Sequence, residues 1–149
     1  MSFLSAFNTS VSGMVAQRQR VNTISENIAN AETTRTPQGG PYRRREVVLA
    51  SVANDRTFEE ELLSQDRSAS TSTEVKVVGI VQDERPPILR FEPGHPDANE
   101  EGYVEMPNVN IMEEMVNLMS ANRSYEANTA AFNATKNMVQ SALDLGRNA

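Results

Sequence analysis

Steps of three and four residues from Leu4 meet Leu4, Phe7, Val11, Met14, Arg18, Val21, Ser25 and Ile28, six of the eight apolar. That is the spacing of one face of a helix, and it predicts a helix over residues 4–31, ~42 Å long at ~1.5 Å per residue. Near the other end Ile111, Leu118, Tyr125, Phe132 and Val139 recur at every seventh position. The parallel column Met115, Asn122, Thr129, Lys136 and Leu143 is polar at its three central places. Asn110 with Glu113 fits a capping box and Gly146 fits a C-terminal stop, which bounds a helix of roughly 35 residues, ~52 Å. Each helix carries a single apolar stripe and can bury it only against another helix, so the two are expected to pack antiparallel.

All 7 Pro and five of the 7 Gly lie between residues 37 and 107. Proline removes a backbone donor and clashes with the preceding turn, so the chain reads as helix, non-helical insert, helix. Within the insert, residues 46–52, 74–82, 88–91 and 103–106 are short β-branched or aromatic runs between turn signals, predicting four strands in one modest sheet. The polar run Ser68–Thr73 predicts that 53–73 is a mobile loop. The expected fold is therefore α+β: N- and C-terminal helices paired as a coiled-coil-like hairpin, with a small β-rich insert. The expected divisions are 1–36, 37–107 and 108–149.

Composition thins the expected core. Leu, Ile, Val and Phe together make up 32 of 149 residues, close to the ~20% below which chains tend to stay disordered, so part of this chain is expected to need a partner to fold. The net charge of −6 is uneven: residues 1–45 carry six Arg against two Glu, and 46–105 five basic against fourteen acidic residues. The acidic middle repels nucleic acid, and Arg43–Arg45, the only basic cluster, lacks the aromatic run of a nucleic-acid footprint. Nowhere do 18 apolar residues run together, and the first residues show no Sec-type signal, so neither membrane insertion nor a cleaved leader is expected.

Catalytic and metal chemistry find little to stand on. With no Cys and one His, disulfides, thiol catalysis and a Cys/His zinc site are excluded. Residues 97–102 begin like a calcium loop, but its twelfth position is Asn108, where a bidentate Glu is needed. His95 sits in a Pro- and Gly-bounded turn without a nucleophile, and Glu59–Glu61 and Glu113–Glu114 are adjacent carboxylates that read as solvated faces. No catalytic residue, cofactor, metal or small-molecule substrate is expected. Two other classes remain: a coiled-coil adaptor of a cytoplasmic complex, and a small enzyme with an acidic cleft.

Twelve of 14 Asn fall in the helical flanks, although Asn is a mediocre helix former. Carboxamides that bond across helices would fix their register. Around residues 21–30, the stripe Val21, Ile24 and Ile28 is expected to lie under the second helix, leaving Asn22, Asn27 and Asn30 to meet further subunits. Met112, Met115, Met119 and Met138 suit packing in uneven surroundings.

The segment Gln19-Arg20-Val21-Asn22-Thr23-Ile24-Ser25-Glu26-Asn27-Ile28-Ala29-Asn30-Ala31 resembles the N-terminal signature of the flagellar axial proteins, the rod, hook and hook-associated subunits. The longer turn Thr33-Thr34-Arg35-Thr36-Pro37-Gln38-Gly39-Gly40-Pro41-Tyr42-Arg43-Arg44 resembles the proximal-rod members. Further matches are Glu92–Pro96, Gly102–Val109, Met115–Asn117 and Arg123–Asn128. The resemblance implies a structural subunit of the bacterial basal body that polymerises through its terminal helices into the torque-carrying rod, in the periplasmic space. Implied partners are further copies and other rod subunits in a helical assembly, together with the flagellar type III export apparatus. The expected assembly residues are Leu4, Phe7, Val11, Met14, Val21, Asn22, Ile24, Asn27, Ile28 and Asn30 in the first helix. In the second they are Ile111, Met115, Leu118, Tyr125, Phe132, Val139 and Leu143.

Overall fold

A computed structural model describes residues 3–53 and 73–147. Helix α1 spans Phe3–Ala29 and α2 spans Ile111–Arg147; between them come strands β1 (Arg45–Ala53), β2 (Thr73–Gln82), β3 (Ile88–Phe91) and β4 (Tyr103–Met106). This is the expected α+β arrangement. The loop anticipated at 53–73 lies outside the described residues, apart from Ala53 and Thr73, which form the last rung of the β1–β2 ladder.

The caps explain the helix ends. At the end of α1 the Asn30 backbone N–H and side-chain amide both donate to Glu26 O, at 3.0 and 2.8 Å, so the residue just past the helix closes its last turn twice. At the start of α2 the Asn110 side-chain oxygen accepts from Met112 N–H at 3.1 Å, while Glu113 is exposed. Gly146 is not a stop, because it lies within α2 and lacks the positive φ that a left-handed cap requires.

The helices run antiparallel. Phe7 meets Phe132 edge to face at 4.9 Å, the Thr129 hydroxyl donates to the Met14 sulfur at 3.4 Å, and Asn27 reaches Glu114 at the opposite end. The residues between them depart from expectation. On α1 the buried positions are Ser10, Gly13, Ala16, Thr23, Ile24 and Asn27, and on α2 they are Glu114, Ala121 and Thr135. Small side chains let the backbones approach, and the Ser10 and Thr135 hydroxyls donate to carbonyls one turn back, Ala6 O and Ala131 O, at 3.0 Å each. The apolar stripes lie beside this buried strip rather than inside it.

Helix α1 is covered on a second side, which widens its buried face beyond a single stripe. The β1–β2 ribbon lies along it, fixed by the Thr9 hydroxyl donating to Thr73 O and by Val75 N–H donating to the Ser12 hydroxyl, both at 3.2 Å. By contrast, α1 is the only described helix or strand packed against α2.

The strands form two separate antiparallel ribbons, β1–β2 and β3–β4, instead of one four-stranded sheet. The first pairs Arg45 with Gln82 through Ala53 with Thr73, interrupted by a bulge between Val48 and Leu49. The second pairs Ile88 with Met106 through Phe91 with Tyr103. Two features keep them apart. Val75 N–H is already committed to α1, and Pro86 and Pro87, which carry no amide hydrogen, separate β2 from β3. Gly102 (φ +82°) turns the chain into β4, where a Cβ would meet the Phe91 ring at 3.0 Å and Pro93 Cβ at 3.1 Å.

Candidate assembly interface

Three distant segments meet where α1 ends, β1 begins and α2 starts, and Asn27 is their common partner. The Asn27 side-chain nitrogen donates to Arg45 O at 2.8 Å and to a Glu114 carboxylate oxygen at 2.9 Å. Its oxygen accepts from Arg45 N–H at 2.9 Å and from the Tyr42 hydroxyl at 3.0 Å. The amide is 0% exposed, and these four bonds use both of its donors and both of its acceptor positions. It therefore has nothing left to offer a neighbouring subunit, which revises the role expected for it.

Glu114 was expected on a solvated face and is instead 1% exposed. Its second oxygen receives Arg44 through Nε and Nη2, at 2.9 Å each. Arg44 also reaches Glu46 at 3.2 Å. Burial acts to lower the Arg44 pKa, but the hydrogen bonds and charges of Glu114 and Glu46 outweigh it and hold the guanidinium above its ordinary value. Burial pushes the Tyr42 phenol above its usual 10, with Arg45 opposing and Glu26 and Glu114 adding to the rise. Arg45 also lies 5.7 Å from the centre of the Tyr42 ring and 3.5 Å from Glu26. This polar clasp ties the foot of the insert to both helices.

A second tie joins the turn after α1 to the β3–β4 turn. Thr34 donates to Asp97 at 2.7 Å, and Arg35 lies 3.9 Å from the same carboxylate. Asp97 is thereby occupied, and the Asn99 side-chain oxygen accepts from Glu101 N–H and Tyr103 N–H, so the oxygens of this calcium-like loop do not converge. His95 stays in its turn, its Nδ1 accepting from Asp97 N–H at 3.1 Å. On the far side of the clasp, Arg85 holds Asp83 down to about 2 through side-chain and then backbone hydrogen bonds. Among the described residues no three His, Asp or Glu gather as a metal site, and no helix is long and apolar enough to cross a membrane.

The other expected assembly residues divide by exposure. Ile24 is buried; Phe7, Met14, Val21, Ile28, Leu118, Phe132 and Val139 are half-buried at the margins of the helix pair. Leu4 (73% exposed), Val11, Ile111, Met115, Tyr125 and Leu143 (68%) face outward. Asn22 is exposed, and Asn30 is half-buried and bonded within its own helix. The pattern of apolar residues missed Gly13, Ala16, Ala121 and Asn128. The Asn128 side chain fills the place of a side chain at Gly13, where a Cβ would lie 2.9 Å from its oxygen. The seven-residue recurrence of Glu114, Ala121, Asn128 and Thr135 was available in the sequence, but none of these residues is a large hydrophobe.

Comparison with known proteins matches the same segments. Residues 7–35 match the family model described as flagella basal body rod protein, and residues 100–145 match the one described as flagellar basal body rod FlgEFG protein C-terminal. The chain is 43% identical over 152 residues to the flagellar basal-body rod protein FlgC of Bacillus subtilis, covering 99% of this chain and 100% of the relative. Against the protein of that name from Borreliella burgdorferi it is 42% identical over 147 residues, covering 96% and 97%. Against that of Escherichia coli O6:H1 it is 38% identical over 147 residues, covering 99% and 100%.

Proposed function

The chain belongs to the FlgC family of flagellar basal-body rod proteins, and from that premise we propose that it polymerises through its terminal helices into the proximal rod, the shaft that carries motor torque to the hook. One observation supports this reading above the others. Apart from Ile24, the buried residues of the two helices are small or polar, while large apolar side chains at helical spacing, such as Leu4 and Leu143, stand in solvent. Single exposed hydrophobes are ordinary, but aligned ones mark an interaction surface.

In this reading α1 with the turn after it (1–36) and α2 with its lead-in (108–149) form the axial core, and the insert (37–107) rests on that core through the clasp. The exposed and half-exposed apolar residues named above contact further copies and other rod subunits. Asn27 and Ile24 act earlier, by shaping the subunit. The role is structural rather than catalytic. Export through the flagellar type III apparatus as an unfolded chain, without a cleaved signal, suits a subunit with so small a core.

The test is a tagged chain expressed in flagellated cells that lack their own copy. The reading expects it in isolated basal bodies and expects motility to return. Leu4→Asp and Leu143→Asp should be made and exported yet fail to enter the rod. Their incorporation at normal levels would refute helix-mediated assembly.

A further inference from the structure

The chain carries 20 acidic residues against 14 Lys and Arg, so an arginine here finds carboxylates in excess. Several take one: Arg44, Arg85 and Arg90 each hold a carboxylate at 2.9 Å or closer. Arg43 does not. It is exposed, and its side chain has no ion pair or hydrogen bond among the described residues. Arg35 and Arg45 are held loosely, 3.9 Å from Asp97 and 3.5 Å from Glu26, and the Arg35 side chain is 84% exposed.

These three arginines line one cleft of about 460 Å³, between the turn after α1 and the first rung of the β1–β2 ladder, Arg45 with Gln82. Among the described residues no carboxylate lines it. Tyr42 contributes its ring to the wall, because its hydroxyl is committed to Asn27 and Arg45 lies 5.7 Å from the ring centre. The cleft is preformed. Thr36 N–H donates to Gly40 O and Gly39 N–H to Thr36 O, both at 2.9 Å, and Tyr42 N–H donates to Thr33 O at 3.0 Å. The turn that presents Arg35 and Arg43 is therefore closed on itself, and a ligand need not order it.

The same bonds discriminate between anions. A glycine-bearing loop cradles phosphate with free backbone N–H groups, but those of Thr36, Gly39 and Tyr42 are spent inside this turn. What the cleft offers instead is guanidinium groups, whose paired donors match the two oxygens of a carboxylate. Three cations on separate residues of the wall suit several carboxylates on one stretch of chain better than a single small anion.

We propose that the cleft is a docking site for an acidic segment of a neighbouring protein, whose carboxylates pair with Arg35, Arg43 and Arg45. The site uses neither apolar helix stripe and does not depend on the rod reading.

Fluorescence anisotropy of labelled hexaglutamate with the full chain, in an osmolyte-stabilised buffer, tests it. The net charge of −6 repels this peptide, so binding has to be local. Binding should weaken steeply with added salt, and Arg43→Gln should weaken it roughly tenfold, as the loss of one close charge pair does at an interface. Arg35→Gln should act in the same direction and replaces Arg43→Gln if that chain melts early. Arg18→Gln and Arg123→Gln, which remove exposed cations outside the cleft, should leave binding unchanged, and hexaglutamine should not bind. Absence of hexaglutamate binding, an equal loss in the Arg18 or Arg123 variant, or inorganic phosphate that competes as tightly as the peptide binds overturns the acidic-segment site.

Discussion

Arg44, at the foot of β1, and Glu114, in the first turn of α2, form a two-nitrogen ion pair at 2.9 Å across 70 positions of sequence. Glu114 is 1% exposed and Arg44 has 18% of its side chain exposed. Removing one partner of such a pair strands the other charge. Glu114→Ala should therefore cost about 3 kcal/mol, toward the lower end of the ~3–5 kcal/mol range because Arg44 keeps Glu46 and some solvent. Arg44→Met with Glu114→Leu should recover only part of that loss, because the buried Asn27 amide hydrogen that Glu114 accepted is left unpaired. Urea denaturation in an osmolyte-stabilised buffer checks both, and an additive double variant would show that the pair is not coupled.

Asn27 bonds four groups from three segments, so its truncation strands more than one of them. Asn27→Ala should destabilise the subunit by roughly 2–4 kcal/mol, given ~1–3 kcal/mol for each unsatisfied buried group and some relaxation. Asn27→Asp should be worse at neutral pH, because it sets a second carboxylate against Glu114. Asn22→Ala, at an exposed position, should stay within about 0.5 kcal/mol. Equal effects at 22 and 27 in the same denaturation series would contradict the clasp.

Gly13 has no room for a side chain, although Ala in place of Gly normally strengthens a helix by roughly 1 kcal/mol. Gly13→Ala should instead loosen the pair, lowering the melting temperature by several degrees, on the order of 1 kcal/mol in a domain of this size. Adding Asn128→Ala, which removes the side chain that the new methyl would strike, should restore it. Calorimetry that shows Gly13→Ala more stable than the parent would refute the close approach.

Tyr42 links folding to alkaline pH. Its folded pKa lies above the unfolded value near 10, so the folded state keeps a proton that the unfolded chain releases. The associated stability is complete below about pH 10 and is lost as pH rises through the folded pKa. A spectrophotometric titration of the folded chain should show a late phenolate component that Tyr42→Phe abolishes. A Tyr42→Phe chain with the same alkaline profile as the parent would rule this out.

Period and proline placement were enough to determine the two helices, the β-rich insert and all four strands, because these depend on backbone rules that act over a few residues. The motif around Asn27 was likewise enough to point to the axial family. What lies between the helices depends on distance between backbones, and apolar periodicity does not report it: Gly13, Ala16 and Ala121 matter through what they lack. The role of Glu114 was hidden for a similar reason. Next to Glu113 it reads as a solvated pair, and only the fold brings Arg44 and Asn27 to it. Separation of the strands into two ribbons showed only in the fold, although Pro86 and Pro87, which part β2 from β3, stood in the sequence. The large apolar side chains were visible from the start, but which of them the chain buries for itself depended on a helix with two neighbours and a longer one with only α1 beside it among the described elements.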